Sequence, residues 1–219
     1  VTPYTAFYDD VLPEMPGCTT TLALHHIKRT CNDFYERSLF GREDCALLDV
    51  VVATPSYTAV TLDPTNFDVT RVLEVRLKNT ASTGIKPKVL SPRSKAWLDQ
   101  FMPDWDTQAG TPSAYMQTAA NNVTLAYIPD TTYLAGLQIS IAKVPNYAGA
   151  GIDDAVYGKF SESIALGIKA RLMRMAKKPW TNDKMAPVYA QQFEGEVAAA
   201  AAIANVGYGR AVMRTRAWG

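Results

Sequence analysis

The chain has 219 residues, 47% of them apolar and 20% charged, with 22 Lys and Arg against 21 Asp and Glu. This composition suits one folded domain or two small ones and excludes a disordered chain. A net charge of +1 argues against phosphate neutralisation by the chain as a whole, and no run reaches the roughly 18 apolar residues of a membrane span.

The longest apolar run, Val197 to Ala204, is mostly alanine. No basic segment precedes an apolar one at the N-terminus, so no secretory signal is expected. Three cysteines, Cys18, Cys31 and Cys45, form an odd set that reads as free thiols of a reducing compartment.

Residues 1–18 hold Pro3, Pro13, Pro16 and Gly17 and predict an extended arm with a turn or short helix around Tyr8 to Leu12. Thr19 to Phe40 reads as helix, because Leu24, Ile27, Cys31, Phe34/Tyr35 and Ser38 recur at 3–4 spacing. Thr19 or Thr20 caps its start and Gly41 suits its end.

Strands are expected at Ala46–Ala53, Ser56–Leu62, Arg71–Lys78 and Lys86–Leu90. Ser91-Pro92 has the form of a helix start, with the helix running to Met102 and stopping at Pro103. Ala114–Ala119 and Val123–Ile128 flank Asn121-Asn122, a pair suited to a tight turn at positive φ. Leu137–Val144 is a further strand.

Helix returns after the linker Ala148–Gly151. It opens at Asp153 and Asp154, closes with Arg171, Arg174, Lys177 and Lys178, and so complements the helix dipole. Val156, Phe160, Ile164, Ile168 and Leu172 stand at i+4 intervals; Ala165, Leu166, Ala170 and Met173 widen the apolar surface. Pro179 ends it. A last helix spans Asn182–Asn205 on Met185, Tyr189, Phe193, Val197, Ala200 and Ile203/Ala204. Pro187 requires that helix to start near Ala186 or to bend, and Gly207 stops it. The alanine run 198–202 lets two helix backbones approach closely.

The expected fold is α+β: a bundle of three long helices with an inserted β-rich lobe of about six strands and one short helix, plus an extended C-terminal tail. The expected segments are 1–44 and 149–206 for the helical domain, 45–148 for the lobe and 207–219 for the tail.

Catalytic and metal motifs are not found. His25 and His26 are adjacent, about 100° apart on a helix, and cannot chelate one ion from one face. The cysteines lack zinc-ribbon or redox spacing, and Cys31 sits on an apolar stripe. Gly149-Ala150-Gly151 lacks the phosphate-loop pattern and reads as a hinge; Gly207-Tyr208-Gly209-Arg210 precedes no helix start. Asp9-Asp10 and Asp153-Asp154 occupy terminal or capping positions. No catalytic residue, metal or cofactor is expected.

Several stretches carry a resemblance. They are Tyr4-Thr5-Ala6-Phe7-Tyr8-Asp9-Asp10-Val11-Leu12-Pro13-Glu14 with Pro16-Gly17-Cys18; Asp104-Trp105, Gly110-Thr111-Pro112 and Tyr115; and Lys177-Lys178-Pro179-Trp180-Thr181-Asn182 followed by Tyr189 and Phe193. In this order, over residues 4–200, the chain resembles the head-to-tail adaptor (connector) proteins of tailed bacteriophages, chiefly short-tailed ones. The resemblance implies a structural virion protein, not an enzyme. It would form a homo-oligomeric ring, commonly of twelve copies, beneath the portal protein. The ring would be assembled in the host cytoplasm, extend the DNA channel and receive the tail nozzle or tail fibre proteins. Genomic DNA would pass without sequence-specific binding, and no membrane is involved. It assigns structural roles to Pro16, Gly17, Asp104, Trp105, Gly110, Thr111, Pro112, Tyr115, Pro179, Trp180 and Phe193. Pro187 and the tail depart from the family pattern.

The tail's chemistry is its own. Tyr208, Val212, Met213 and Trp218 supply apolar area and Arg210, Arg214 and Arg216 supply charge with no acid, so these seven residues are the candidate portal contacts. The near-zero total is a cancellation: residues 1–162 carry −5 and residues 163–219 carry +6. Unlike surfaces of that kind suit docking between proteins. The alternatives are a tail-terminator or stopper ring, a tail-associated cell-wall hydrolase, and a sequence-specific DNA-binding module.

Overall fold

The computed structural model describes residues 1–78 and 87–206. In chain order these form β1 (Thr2–Pro3), α1 (Tyr8–Val11), α2 (Thr20–Ser38), β2 (Arg42–Asp44), β3 (Leu48–Val50), β4 (Ser56–Thr58), β5 (Phe67–Leu77), β6 (Lys88–Val89) and β7 (Ser91–Pro92). There follow α3 (Lys95–Phe101), β8 (Ala109–Gly110), β9 (Ala114–Ala119), β10 (Asn122–Ala126), β11 (Ile128–Pro129), β12 (Tyr133–Pro145), β13 (Gly151–Ile152), α4 (Asp154–Met173) and α5 (Met185–Val206). The chain divides into two compact units: Val1–Gly41 with the chain from Ala150 onward, and Arg42–Gly149.

This overturns the expected three-helix bundle with a small lobe of about six strands. Among the described residues the protein is mixed α/β, with five α-helices and thirteen strands in four sheets. The count was short because most missed strands are two or three residues long, too short to show an alternation. Arg42–Asp44 is wholly polar, yet it pairs antiparallel with β12 through Glu43↔Ile141.

In the first unit, α2 begins where Thr19 accepts a hydrogen bond from the Leu22 amide at 3.4 Å. It ends at Leu39, in the left-handed region at φ 51°, two residues before the expected Gly41. Helix α5 starts at Met185, so Pro187 lies in the first turn, where its missing N–H costs nothing. Helices α2, α4 and α5 pack pairwise around Ile27, Cys31, Phe34, Phe160, Ile164, Ile168 and Phe193, all buried. A charged clasp joins the same helices. Asp33 accepts from Arg171 at 2.8 Å and lies 3.6 Å from Arg37, which also pairs with Glu194. Glu14 takes Lys169 at 2.6 Å and the Tyr189 hydroxyl at 3.2 Å.

The expected hinge at Ala148–Gly151 is instead a point of close backbone approach. Gly151 pairs with Pro3, and a Cβ there would stand 1.8 Å from the Thr2 carbonyl. Glycine is needed for space, not for motion.

In the second unit, β2-β12-β5-β6 with β3 on β12 form a five-stranded sheet, and β4-β10-β9-β7 a four-stranded one. One buried cluster draws on both: Val75, Leu77, Leu137, Ile139 and Ile141 from the first, Tyr57, Tyr115, Val123 and Leu125 from the second. Ser91-Pro92 is a strand and not a helix start. The cap is Ser94, whose Oγ accepts from the Trp97 amide at 3.3 Å. The expected Asn121-Asn122 turn is shifted by one: Asn122 already pairs with Ala119, with a register shift before Val123. The expected strand Val123–Ile128 breaks at Tyr127, whose φ is 69°.

Candidate functional site

The motif residues that carry the resemblance do not converge on one site. Pro16 and Gly17 are exposed and occupy the middle of a turn closed by the Cys18 amide on the Met15 carbonyl at 3.0 Å. Gly17 has φ 81°, which glycine adopts at the third position of a Pro-Gly turn without strain. Asp104, at φ 62°, closes another turn by accepting the Thr107 and Gln108 amides at 3.1 and 2.7 Å.

Trp105 is buried against Leu98, Ala114 and Ala126, and its indole N–H donates to Asp99 at 2.9 Å. Gly110 lies in β8, Thr111 is exposed, Pro112 is buried, and Tyr115 belongs to the main core of the second unit. Pro179 is exposed. Trp180 is buried, with no partner for its indole N–H among the described residues. Phe193 is buried at 6.5 Å from Phe34. Apart from Gly110 in β8 and the exposed Thr111, these fill cores or shape turns. The seven tail residues, Tyr208, Arg210, Val212, Met213, Arg214, Arg216 and Trp218, lie outside the described residues, as does Gly207.

The site sequence reading missed is the outer face of α5. Ala186, Phe193, Val197 and Ala200 are buried and form its inner stripe. Val188, Gln191, Gln192, Gly195, Ala198, Ala199 and Ala202 are exposed. That face carries no charge, and a Cβ added at Gly195 meets nothing within 4 Å. Exposed helix faces are ordinarily polar or charged; a neutral face of Gly and Ala lets another backbone come close. Its flanking acids are already engaged, Glu194 by Arg37 and Glu196 by Ser163 at 3.3 Å. The alanine run suggested close packing, but its periodicity could not tell which alanines face inward.

The second unit has an apolar patch of its own. Leu47, Val51, Val52 and Leu134 are 47–66% exposed, around the pairing of β3 with the start of β12. A large apolar group at the surface marks a contact surface more often than a solvated one.

Groups suited to chemistry are dispersed. Among the described residues, no set of three or more His, Cys, Asp or Glu could hold a metal ion. Cys31 is fully buried, and burial pushes its thiol far above the ordinary range, so it is inert. Tyr35 spans α2 and the start of α4: its hydroxyl donates to Asp153 Oδ2 at 3.2 Å and accepts from the Asp153 amide at 3.1 Å. Burial, then the Asp153 charge, holds that hydroxyl protonated.

His25 and His26 stand with rings 5.5 Å apart at 84°. The Nδ1 of His26 is buried without a partner among the described residues. Burial first, then the positive fields of His25, Arg171 and Arg29, lower its pKa. The unfolded chain therefore binds a proton that the folded unit refuses, and stability falls as pH drops below about 6.5. His26→Gln will flatten that slope; thermal denaturation of both forms at about pH 7.5 and about pH 5.5 checks it.

No family model and no curated protein matches this chain.

Proposed function

We propose that this chain is the subunit of a homo-oligomeric connector ring at the head-to-tail junction of a tailed bacteriophage virion. The ring, of about twelve copies, binds the portal protein on one side and tail nozzle or fibre proteins on the other. Genomic DNA passes through it without sequence-specific binding. The subunit acts as a structural part, with no catalytic step and no cofactor, and it is assembled in the bacterial host cytoplasm.

The observation that supports the reading best is the neutral outer face of α5. A 22-residue helix is about 33 Å long. Stable interfaces bury about 800 Å² per partner, and a helix of this length can contribute part of that. Small side chains lose little entropy when covered. The ordered likeness of residues 4–200 to adaptor proteins supplies the identity of the ring; the helix face supplies the means of packing it.

Ala199→Arg tests the packing directly. Ala199 is exposed, so the variant subunit folds as before by circular dichroism. On co-expression with portal protein the wild type will co-sediment as a ring of subunits, and the variant will be lost from that fraction by at least about tenfold, as expected for a charge driven into a packed interface. Equal incorporation of the variant contradicts the assignment of this face.

A further inference from the structure

We propose that a cleft in the Arg42–Gly149 unit binds a phosphate-class oxyanion between the guanidinium groups of Arg71 and Arg93. The inference concerns this unit alone and holds whether or not copies of the chain assemble.

The cleft arises from a change of sheet. Residues 88 and 89 pair with the edge of β5 through Leu77↔Lys88 and Arg76↔Val89. The Leu90 amide then donates to the Val75 carbonyl at 2.9 Å. Two residues on, the chain has joined β9, with Pro92 paired to Tyr115 and the Arg93 amide on the Tyr115 carbonyl at 2.9 Å. Between β5 and β9, beside this crossing, a hollow of about 480 Å³ is left, and Arg71, Arg93, Ser94, Tyr115 and Gln117 stand around it.

Its chemistry is one-sided. Among the described residues no acid lines the cleft, and the nearest acidic field on its wall is that of Glu74 at Tyr115. The carboxylates on neighbouring surfaces are occupied elsewhere: Glu74 by Arg76, Asp44 by Gln138 and Ser140, Asp99 by the Trp105 indole. Arg71 is held in β5 by its backbone, opposite Ala142, and its side chain makes neither a hydrogen bond nor an ion pair among the described residues. Arg93 lies 4.3 Å above the Trp97 ring. Stacking takes the face of a guanidinium and leaves its edge of N–H donors free. Ser94 Oγ accepts from the Trp97 amide, which leaves its own O–H to donate outward.

The donor set favours phosphate over carboxylate. One arginine fork saturates a carboxylate. Two guanidiniums, one from strand β5 and one from the link between β7 and α3, with hydroxyl donors beside them, match an anion carrying more oxygens and more charge. Two sources share this chemistry: free inorganic phosphate and the phosphodiester of a nucleic acid.

The test is a titration of the full chain, followed by tryptophan fluorescence, first with inorganic phosphate and then with a short duplex DNA. Trp97 reports because it stacks on Arg93. A saturable change with phosphate is expected, absent in Trp97→Phe and weakened about tenfold in Arg71→Gln and in Arg93→Gln, as for a lost charge-assisted bond. Both arginines are exposed, and unchanged circular dichroism verifies that the variants fold. Phosphate binding with no competition from DNA assigns a free-phosphate site; displacement by DNA that needs Arg93 assigns a phosphodiester. No saturable response to either probe overturns the proposal, and so does a response that survives both arginine substitutions. Polyglutamate displacing phosphate at equal charge concentration also overturns it, since the ligand is then a carboxylate.

Discussion

Glu43→Ala will destabilise the Arg42–Gly149 unit by about 3–5 kcal/mol, seen as an early urea transition of that unit. Glu43 Oε2 sits 2.8 Å from Lys143 Nζ, and both side chains are only 10% exposed. Glu43 Oε1 also accepts the Leu62 amide at 2.5 Å, and the Lys143 ammonium lies 4.2 Å above the Phe67 ring. Removing the carboxylate takes an ionic partner from a buried cation and the acceptor from the Leu62 amide together. The cost then comes from desolvation left uncompensated, and not from the pair's modest net worth. Glu43→Leu combined with Lys143→Met removes both charges and should recover most of the loss. A single-variant cost below about 1 kcal/mol would mean that the pair behaves as a solvated surface bridge.

Phe193→Ala will cost the helical unit about 3–5 kcal/mol. The ring is 4% exposed, and a Cβ placed on Gly167 would stand 2.8 Å from it and 2.8 Å from Thr30 Cγ2. Gly167 is thus the seat of Phe193, and α4 and α5 approach closely because one supplies no side chain there. Gly167→Ala overpacks the same spot, at about 1–3 kcal/mol. Because the two residues share one volume, Gly167→Ala with Phe193→Leu should cost less than the two singles added. Chemical denaturation of the four forms decides it; simple additivity would show that the ring is not seated on Gly167.

Legibility in the sequence followed the length of each element. Helices α2, α4 and α5 have 19, 20 and 22 residues, long enough for 3–4 spacing to repeat several times, and each was located from that spacing. The architecture drawn from them was nevertheless wrong, because β1, β8, β11 and β13 have two residues each. Such strands exist only through their partners: Thr2 pairs with Ile152, far along the chain, a contact no local pattern encodes. Ser91-Pro92 misled for a related reason. Serine before proline is a good cap locally, but pairing with Ala114 and Tyr115 outweighs it, and the helix waits for Ser94.

The candidate surfaces were legible only in part. The alanine run stood out by composition, whereas the exposure of Ala198, Ala199 and Ala202 depends on where α4 lies. Arg71 and Arg93 are 22 positions apart, one in β5 and the other just after β7, and they line one cleft only because the chain changes sheet between them. The motif residues were conspicuous for being Trp, Pro and Gly, and the structure uses them for cores and turns.

Electron cryo-microscopy of this chain co-purified with a portal protein tests the connector assignment most directly. A closed ring of subunits coaxial with the portal, with the neutral face of α5 covered in each copy, is the result expected. A chain that never joins the portal, or a ring in which that face stays open to solvent, would contradict it.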